Sequence, residues 1–502
     1  MKKCNYYFSS FFWSTIAKCL NAVFVFISVP FILEYYGKTN YGILSIALAI
    51  NGCMNLFDLG LNVGTVKYFS QWRKENKIVL INRVACTNIT FYVLVSILNS
   101  VLLIILYFYG YSFFDISFEQ FNQLRIYLII LASFSILSWS ETTFNQLLIS
   151  DNKMAFTMQV KCVVVVLKLL LFYIIIKSEV SLSIYFLFFV LISSLSVFPY
   201  AFKCLKDGLL DKIRLGFNWD EYKIVLTFSL SIFALSMFQV ISIQSRPIIL
   251  SVFSDNAADI VAEFRILEVF PMFIIAIGGA FSPIFLPKSS LIIASNSQYE
   301  LEFFAYKWTT ITSILSNILC VPLILSSKEI LSVYVGEEYS SLSIWLIIWC
   351  CTILIQIHTT PGYSLVLALG KTRQQMILTA ISCCISIAIN IVLCEFYGVG
   401  SAIIGYFVYV LIIISSYYLF YYNRLLHLNG RKMFLCFIKP TVISFLLLWG
   451  CSFISIDTCP VWMGAKYNFV LIAVVKSLIW IMLYILVLFC FNIISLKYFK
   501  DV

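Results

Sequence analysis

Three basic residues, Lys18, Lys168 and Arg246, lie deep inside long apolar stretches of the sequence. None of them has an acidic residue three or four positions away, where a partner on the same helix would be. Charged side chains within apolar membrane segments are costly and usually face a bundle interior or an aqueous cavity. Because arginine stays charged and binds phosphate in a bidentate fork, we expect these cations to bind an anionic headgroup.

Arg265 is a fourth candidate cation for that headgroup. Glu268 follows three positions later and shares its helix face, so a structural Arg265–Glu268 pair is the alternative interpretation. Glu268, Asp58 and His358 are candidates for ion coupling or gating. Asp58 follows a stretch rich in Gly and Asn, which fits either a water-facing surface or close packing through small residues. His358 fits a proton relay or a hydrogen-bonded core histidine.

No enzyme constellation is recognisable around these residues. The sequence has no Walker loop, no paired histidines and no identifiable Ser/His/Asp set, and its 16 cysteines show no metal or redox spacing. We therefore predict a protein that is not an enzyme and that has no metal site and no cofactor, apart from coupling to H⁺ or Na⁺.

Composition indicates an integral membrane protein. Of the 502 residues, 62% are hydrophobic and only 12% are charged, and the mean hydropathy is +0.97. The apolar runs are continuous rather than alternating, which favours helices over barrel strands. We predict an all-α polytopic fold of about fourteen transmembrane helices, at 9–34, 41–66, 84–109, 123–149, 155–176, 182–202, 224–252, 260–286, 304–326, 341–368, 374–394, 399–421, 440–456 and 468–493.

The net charge of +10 is interpreted as topology rather than as nucleic-acid binding. Lys and Arg residues cluster in alternate loops, including the longest loop, between Lys203 and Lys223. By the positive-inside rule both termini and this loop are cytoplasmic. No nucleic-acid partner is expected.

A near-repeat suggests two equivalent halves. Residues 28–33 and 245–250 share a Ser-X-Pro-X-Ile-Leu pattern in which Pro30 and Pro247 are 217 positions apart, and Asn152-Lys153 and Gly370-Lys371 are offset by 218. Six helices per unit give a parallel repeat, with Pro30 and Pro247 as hinge sites. The predicted parts are an N-terminal lobe (1–203), a basic cytoplasmic linker (204–223), a C-terminal lobe (224–423) and two additional helices (424–502).

Several short motifs resemble those of the Wzx-type O-antigen flippases. They are Lys18 and Pro30 with Tyr41-Gly42-Ile43, Phe57-Asp58-Leu59-Gly60-Leu61, Arg246-Pro247-Ile248-Ile249-Leu250 before Ala262-Glu263-Phe264-Arg265, and Asn390 with Gly398-Val-Gly400-Ser-Ala402-Ile-Ile-Gly405. This family is the polysaccharide branch of the multidrug/oligosaccharidyl-lipid/polysaccharide (MOP) exporter superfamily. The order and spacing of the motifs carry the resemblance.

The resemblance implies two six-helix lobes in a MATE-like V shape and a cation-lined cavity. It implies a flippase in the bacterial inner membrane that moves undecaprenyl-pyrophosphate-linked oligosaccharide to the outer leaflet for lipopolysaccharide or similar polysaccharide synthesis. Partners would be membrane lipids, a polysaccharide polymerase and a chain-length regulator. A MATE-like multidrug or ion antiporter, a membrane-embedded polysaccharide polymerase and a lipid II flippase remain the alternatives.

Overall fold

The computed structural model describes residues 2–178, 180–278, 282–295, 297–370, 372–453 and 465–491. These residues form helices joined by short turns, with no strand among them. The α-helices, in chain order, are α1 (Lys2–Tyr36), α2 (Lys38–Met54), α3 (Leu61–Lys74), α4 (Ile78–Tyr109), α5 (Phe118–Ser150), α6 (Met154–Ser178), α7 (Leu182–Ser194), α8 (Val197–Lys206), α9 (Trp219–Phe253), α10 (Ala257–Gly278), α11 (Ser282–Ser295), α12 (Gln298–Leu325), α13 (Ser327–Tyr334), α14 (Ser343–Ile357), α15 (Thr360–Ala368), α16 (Thr372–Tyr397), α17 (Val399–Ser416), α18 (Gly430–Ser452) and α19 (Ala465–Cys490).

The membrane-spanning prediction is confirmed in its main features. Within the described residues, twelve helical segments are long and apolar enough to cross a membrane. The helix α9 adds a shorter apolar stretch, Met237–Phe253, and α10 is a further helix of 22 residues, mostly apolar but with four charged residues. This is consistent with about fourteen spans.

Contacts divide the chain into a first unit, Met1–Ala262, and a second unit, Glu263–Val502. In the first unit, α4 packs along α5 and α1 packs along α6. The helix α9 also belongs to this unit, where it lies against α2 and α3. The predicted lobe boundaries, which follow the sequence repeat, place this helix in the C-terminal lobe and remain a prediction.

The basic segment between α8 and α9 is tied to the first unit by hydrogen bonds to α4. The backbone N–H of Asp211 donates to Asn82, and Thr90 both accepts from the N–H and donates to the carbonyl of Gly216. Near its start, Lys153 and Lys203 pair with the Asp207 carboxylate. The hydrogen bond from Lys153, followed by that from Lys203, holds the pKa of Asp207 below its ordinary value. These contacts hold the segment between α8 and α9 against α4.

Gly42 on α2 and Gly60, directly before α3, allow close approach to the start of α10 and to α9. A Cβ added at Gly42 would overlap the Ala258 carbonyl oxygen, and one at Gly60 would lie 2.6 Å from the Ser229 carbonyl oxygen. Gly60 also has a φ of +70°, which favours glycine. Gly60 belongs to the Gly- and Asn-rich stretch around Asp58, and for this glycine the structure supports the close-packing interpretation.

We expect Gly42→Ala to destabilise the first unit, because the new methyl group meets a backbone oxygen that no side-chain rotation can move. Overpacking of this kind typically costs about 1–3 kcal/mol. Gly450→Ala in α18 is the matched control, since its Cβ has nothing within 4 Å. Thermal unfolding of the two detergent-solubilised variants should show a lower Tm for Gly42→Ala alone. Equal Tm values would contradict the described packing.

In the second unit, α12 packs against α18, and α16 packs against α17. The chain continues from α17 as a π-helix, Tyr417–Leu425, before α18 begins. The helix α19 contacts α13, where Lys476 pairs with Glu329 at 3.5 Å. Lys476, the charged residue in the last predicted span, therefore has an acidic partner within the protein.

Turn geometry adds to the evidence for duplication. Asn152 (φ 60°) and Gly370 (φ 70°) both end a helix in the left-handed region, although Lys371 lies outside the described residues. Gly37 (φ 83°) and Asn256 (φ 53°), which each directly precede a helix and have positive φ, form another pair, 219 positions apart. Three pairs of landmarks thus share an offset of 217 to 219 positions.

Candidate functional site

Asp58 lies at an interruption between α2 and α3, which the sequence predicts as one span. Residues Asn55–Asp58 form a 3₁₀ turn, and Leu59 (φ 50°) and Gly60 (φ 70°) are both left-handed. The Asp58 carboxylate accepts a hydrogen bond from the backbone N–H of Asn62 in the first turn of α3. The carboxylate therefore lies at the N–H end of α3, beside a helix interruption of the kind that transporters use for ions.

A chain of hydrogen bonds leads from Asp58 into the interior of the first unit. The Tyr92 hydroxyl donates to Asp58 Oδ1 at 2.6 Å and accepts from Gln146 Nε2 at 3.0 Å. Asn88 Nδ2 donates to Gln146 Oε1 at 2.7 Å, and Tyr222 donates to Asn88 Oδ1 at 3.2 Å. Tyr92, Gln146, Asn88 and Tyr222 are buried. This network joins α4, α5 and α9 to the interruption.

The four residues of the network behind Asp58 were not predicted from the sequence. A signal was available, because Asn88 and Gln146 are amide side chains close to the ends of apolar segments. Buried polar groups are hydrogen-bonded in native proteins, so such residues predict partners without identifying them.

Arg246 is buried in α9, with 5% of its surface exposed. It lies seven residues before the helix ends at Phe253, which is about 10 Å along the axis. Nearby, the backbone N–H of Asp115 donates to the Ser251 carbonyl and ties the α4–α5 connection to α9. The structure thus holds a permanent cation inside the first unit.

Lys168 lies on α6, with its ammonium 4.1 Å from the centre of the Phe189 ring. Glu141 on α5 is near enough to attract it electrostatically and accepts a hydrogen bond from Ser196. Phe189 in turn stacks on Phe24 of α1. Lys168 therefore has an aromatic neighbour and a nearby acid that the sequence alone does not connect with it.

Lys18 is exposed on α1, which packs beside α6. Phe31 contacts Phe172, and the Tyr36 hydroxyl donates to the Val180 carbonyl, so the two helices run side by side in the same direction. Counting residues back from these two contacts, at 1.5 Å per residue, places Lys18 roughly 12 Å below Lys168 along the helix axis. The two lysines lie at successive levels of one helix pair.

Arg265 and Glu268 form an ion pair on α10 in the second unit, as the structural alternative anticipated. His358 is 1% exposed, bonds the Tyr418 hydroxyl through Nε2 at 2.9 Å and stacks on Phe437. These positions favour structural roles. Their roles in headgroup binding, coupling or gating stay predictions.

The two hinge candidates lie inside continuous helices, Pro30 in α1 and Pro247 in α9. Their hinge role also stays a prediction. Within the described part of the chain, no group of three or more His, Cys, Asp or Glu residues could hold a metal ion.

No protein-family model and no curated protein matches this sequence. Among solved structures, the lipid II flippase MurJ in an inward closed conformation is 16% identical, with a TM-score of 0.67 over 94% of this chain and 98% of that chain. An inward-facing multidrug resistance MATE family transporter of the MOP superfamily is 13% identical, with a TM-score of 0.60 over 86% of this chain and 99% of that chain.

A third solved structure is the MATE multidrug transporter DinF-BH. It is 18% identical, with a TM-score of 0.59 over 85% of this chain and 97% of that chain. The chain shares the fold of these MurJ and MATE structures. Identities of 13 to 18% establish this architecture and leave the substrate to the chemistry of the site. The predicted MOP-like membrane fold is thereby confirmed, and these MOP-fold neighbours are transporters or flippases by name.

Proposed function

We propose that this protein is a flippase that moves undecaprenyl-pyrophosphate-linked oligosaccharide from the inner to the outer leaflet of the bacterial cytoplasmic membrane. The observation that carries the proposal is Arg246, a cation buried inside a MOP-fold membrane protein. The similarity to a lipid II flippase supports a lipid-linked substrate. We further propose that the transported repeat unit is of the O-antigen type. A polysaccharide polymerase and a chain-length regulator are the proposed protein partners.

The physical reason lies in the headgroup. A sugar pyrophosphate is too polar to cross hydrocarbon unaided, because a buried charge without partners is costly. Arg246 can donate to two phosphate oxygens in one fork, and Lys168 and Lys18 offer further charge-assisted hydrogen bonds. The prenyl tail stays in the bilayer while the protein alternates access to the two sides. The orientation follows the positive-inside rule, with both termini in the cytoplasm.

Binding alone moves no substrate against its gradient, so net transport requires ion coupling or product consumption. Among Asp58, Glu268 and His358, Asp58 suits coupling best. It has a carboxylate at a helix interruption and a buried network behind it, whereas Glu268 is already paired with Arg265. We assign H⁺ or Na⁺ coupling to Asp58.

A MATE-like multidrug antiporter is the second candidate, favoured by the similarity to MATE structures. Such a protein would move cationic drugs, and buried cations repel them. The basic side chains Arg246, Lys168 and Lys18 therefore favour an anionic headgroup.

The proposal is tested by the leaflet position of lipid-linked repeat units in cells depleted of this protein. We expect these units to accumulate in the inner leaflet and surface polysaccharide to be lost, with both restored by re-expression. Normal outer-leaflet delivery after depletion would exclude the flippase function. Increased sensitivity to cationic dyes with normal polysaccharide would instead indicate the drug antiporter.

A further inference from the structure

A cavity of about 1490 Å³ is lined entirely by residues of the second unit. Its walls come from α12, α14, the end of α17 with the following π-helix, and α18. Its lining includes Arg431 and Lys432, which lie on the side of the membrane predicted to face the cytoplasm. In that predicted orientation, Arg431 and Lys432 lie at the level of the inner-leaflet headgroups.

The rim of the cavity is polar and carries an excess of positive charge. Arg431 and Lys432 are exposed in the first turn of α18, and Glu302 is the acid among the lining residues. The Tyr306 hydroxyl and Asn423 add neutral polar groups. Two cations against one acid favour a ligand with negative charge.

The rim is held in place before any ligand binds. The Gln298 amide donates to the His427 carbonyl, the Asn429 N–H donates to the Tyr306 hydroxyl, and Asn423 accepts from the Gly430 N–H. The Asn429 side chain also caps α18. Binding would therefore require little ordering of the rim.

The wall of the cavity is apolar and continues to the outer surface of the unit. Leu419 is 76% exposed, and Phe434 and Leu435 are also exposed. Deeper in the cavity, His358 stacks on Phe437 and bonds the Tyr418 hydroxyl, so these three rings form an aromatic part of the wall. The π-helix contributes Tyr418, Leu419 and Asn423 to this lining, and such helices are rare and often lie at functional sites.

A charged rim above an apolar wall matches an amphiphile with an anionic head. We infer that this cavity binds an inner-leaflet lipid by its phosphate, with Arg431 and Lys432 on the headgroup and the first carbons of the tail against Leu419 and Phe434. The inference rests on the proposed membrane orientation, but not on the identity of the transported sugar. An anionic phospholipid and a polyprenyl phosphate share this chemistry.

The test measures lipid retained by the purified full chain in native mass spectrometry. The protein is released from nanodiscs of phosphatidylcholine that contain phosphatidylglycerol or undecaprenyl phosphate as the minor lipid. We expect the wild type to retain the anionic lipid preferentially. The Arg431→Gln/Lys432→Gln variant should bind it about tenfold more weakly, as expected for about 1.4 kcal/mol of lost charge-assisted contact.

The matched control is Lys212→Gln/Arg214→Gln, which removes two exposed charges from the predicted cytoplasmic side of the first unit. It should retain lipid like the wild type. A second variant, Ser415→Trp, fills the cavity without changing charge and should also reduce retention. If phosphatidylglycerol is retained better, the ligand is a phospholipid; if undecaprenyl phosphate is retained better, the ligand is a polyprenyl phosphate.

Equal retention by the rim variant and its control, or no preference over phosphatidylcholine, would overturn the inference. The measurement does not depend on transport. An Arg246→Ala protein that retains lipid normally but fails to transport would separate this site from the proposed translocation pathway.

Discussion

Arg246→Ala is expected to lower delivery of lipid-linked repeat units about 100-fold, to near background, at normal protein abundance. The guanidinium is buried in α9 and is the side chain best suited to hold a pyrophosphate in two parallel hydrogen bonds. Hydrogen bonds to charged groups contribute about 1.5–3 kcal/mol each. The loss of about 3 kcal/mol corresponds to roughly two orders of magnitude in affinity.

Two further substitutions separate charge from geometry and from packing at Arg246. Arg246→Lys keeps the charge and loses the fork, so part of the activity should remain. Arg246→Met keeps much of the side-chain volume without the charge and should behave like the alanine variant. Arg214→Ala, at an exposed loop position, should transport normally.

The transport activity of these Arg246 variants is measured as surface polysaccharide in complemented cells and as substrate flipping in proteoliposomes. Abundance and thermal stability are measured in parallel, because replacing a buried residue can unfold the protein. Full activity in the alanine variant, or an active methionine variant, would remove the Arg246 charge from the mechanism.

Asp58→Asn is expected to abolish the response of transport to an imposed ion gradient while leaving the fold intact. Asparagine retains an oxygen that accepts from Tyr92, so the network from α4 to α9 keeps its first link. It cannot take up a proton or neutralise a cation. One proton carried per cycle couples a pH difference of one unit to about 1.4 kcal/mol, or about tenfold in accumulation.

Proteoliposomes with an imposed pH or sodium gradient measure this difference. The wild type should accumulate flipped substrate about tenfold per pH unit, or with a corresponding dependence on sodium. The Asp58→Asn protein should only equilibrate it. Tyr92→Phe is the matched variant, since it removes the hydrogen bond to Asp58 and keeps the carboxylate. It should remain coupled with a shifted pH profile, and a coupled Asp58→Asn protein would refute the assignment.

The sequence predicted the all-helical membrane class and most helix positions, because both follow from local composition. A run of about 20 apolar residues is sufficient to indicate a span. The cations Lys18, Lys168 and Arg246 were recognisable for the same reason, since a charge is conspicuous where its neighbours are apolar. The charge asymmetry of the loops likewise supplied a topology.

The partners of these residues depended on tertiary structure. Asp58 is 34 positions from Tyr92, and Tyr92 is 54 positions from Gln146. Which face a helix turns toward which neighbour is not encoded locally when all of its faces are apolar. The sequence therefore identified Asp58 as a candidate but not the network behind it. The interruption between α2 and α3 was also missed, because Asn55, Asp58 and Gly60 lie within an otherwise apolar span.

The sequence by itself determined what kind of protein this is and where its unusual charges lie. Tertiary structure decided what particular residues contact: Lys168 lies over the Phe189 ring, His358 bonds Tyr418, and Gly42 and Gly60 pack on α10 and α9. It also revealed the cavity at the start of α18, which is assembled from four helical segments. The physical reason is that hydropathy and charge are properties of each residue, whereas contacts depend on how distant helices are rotated and packed.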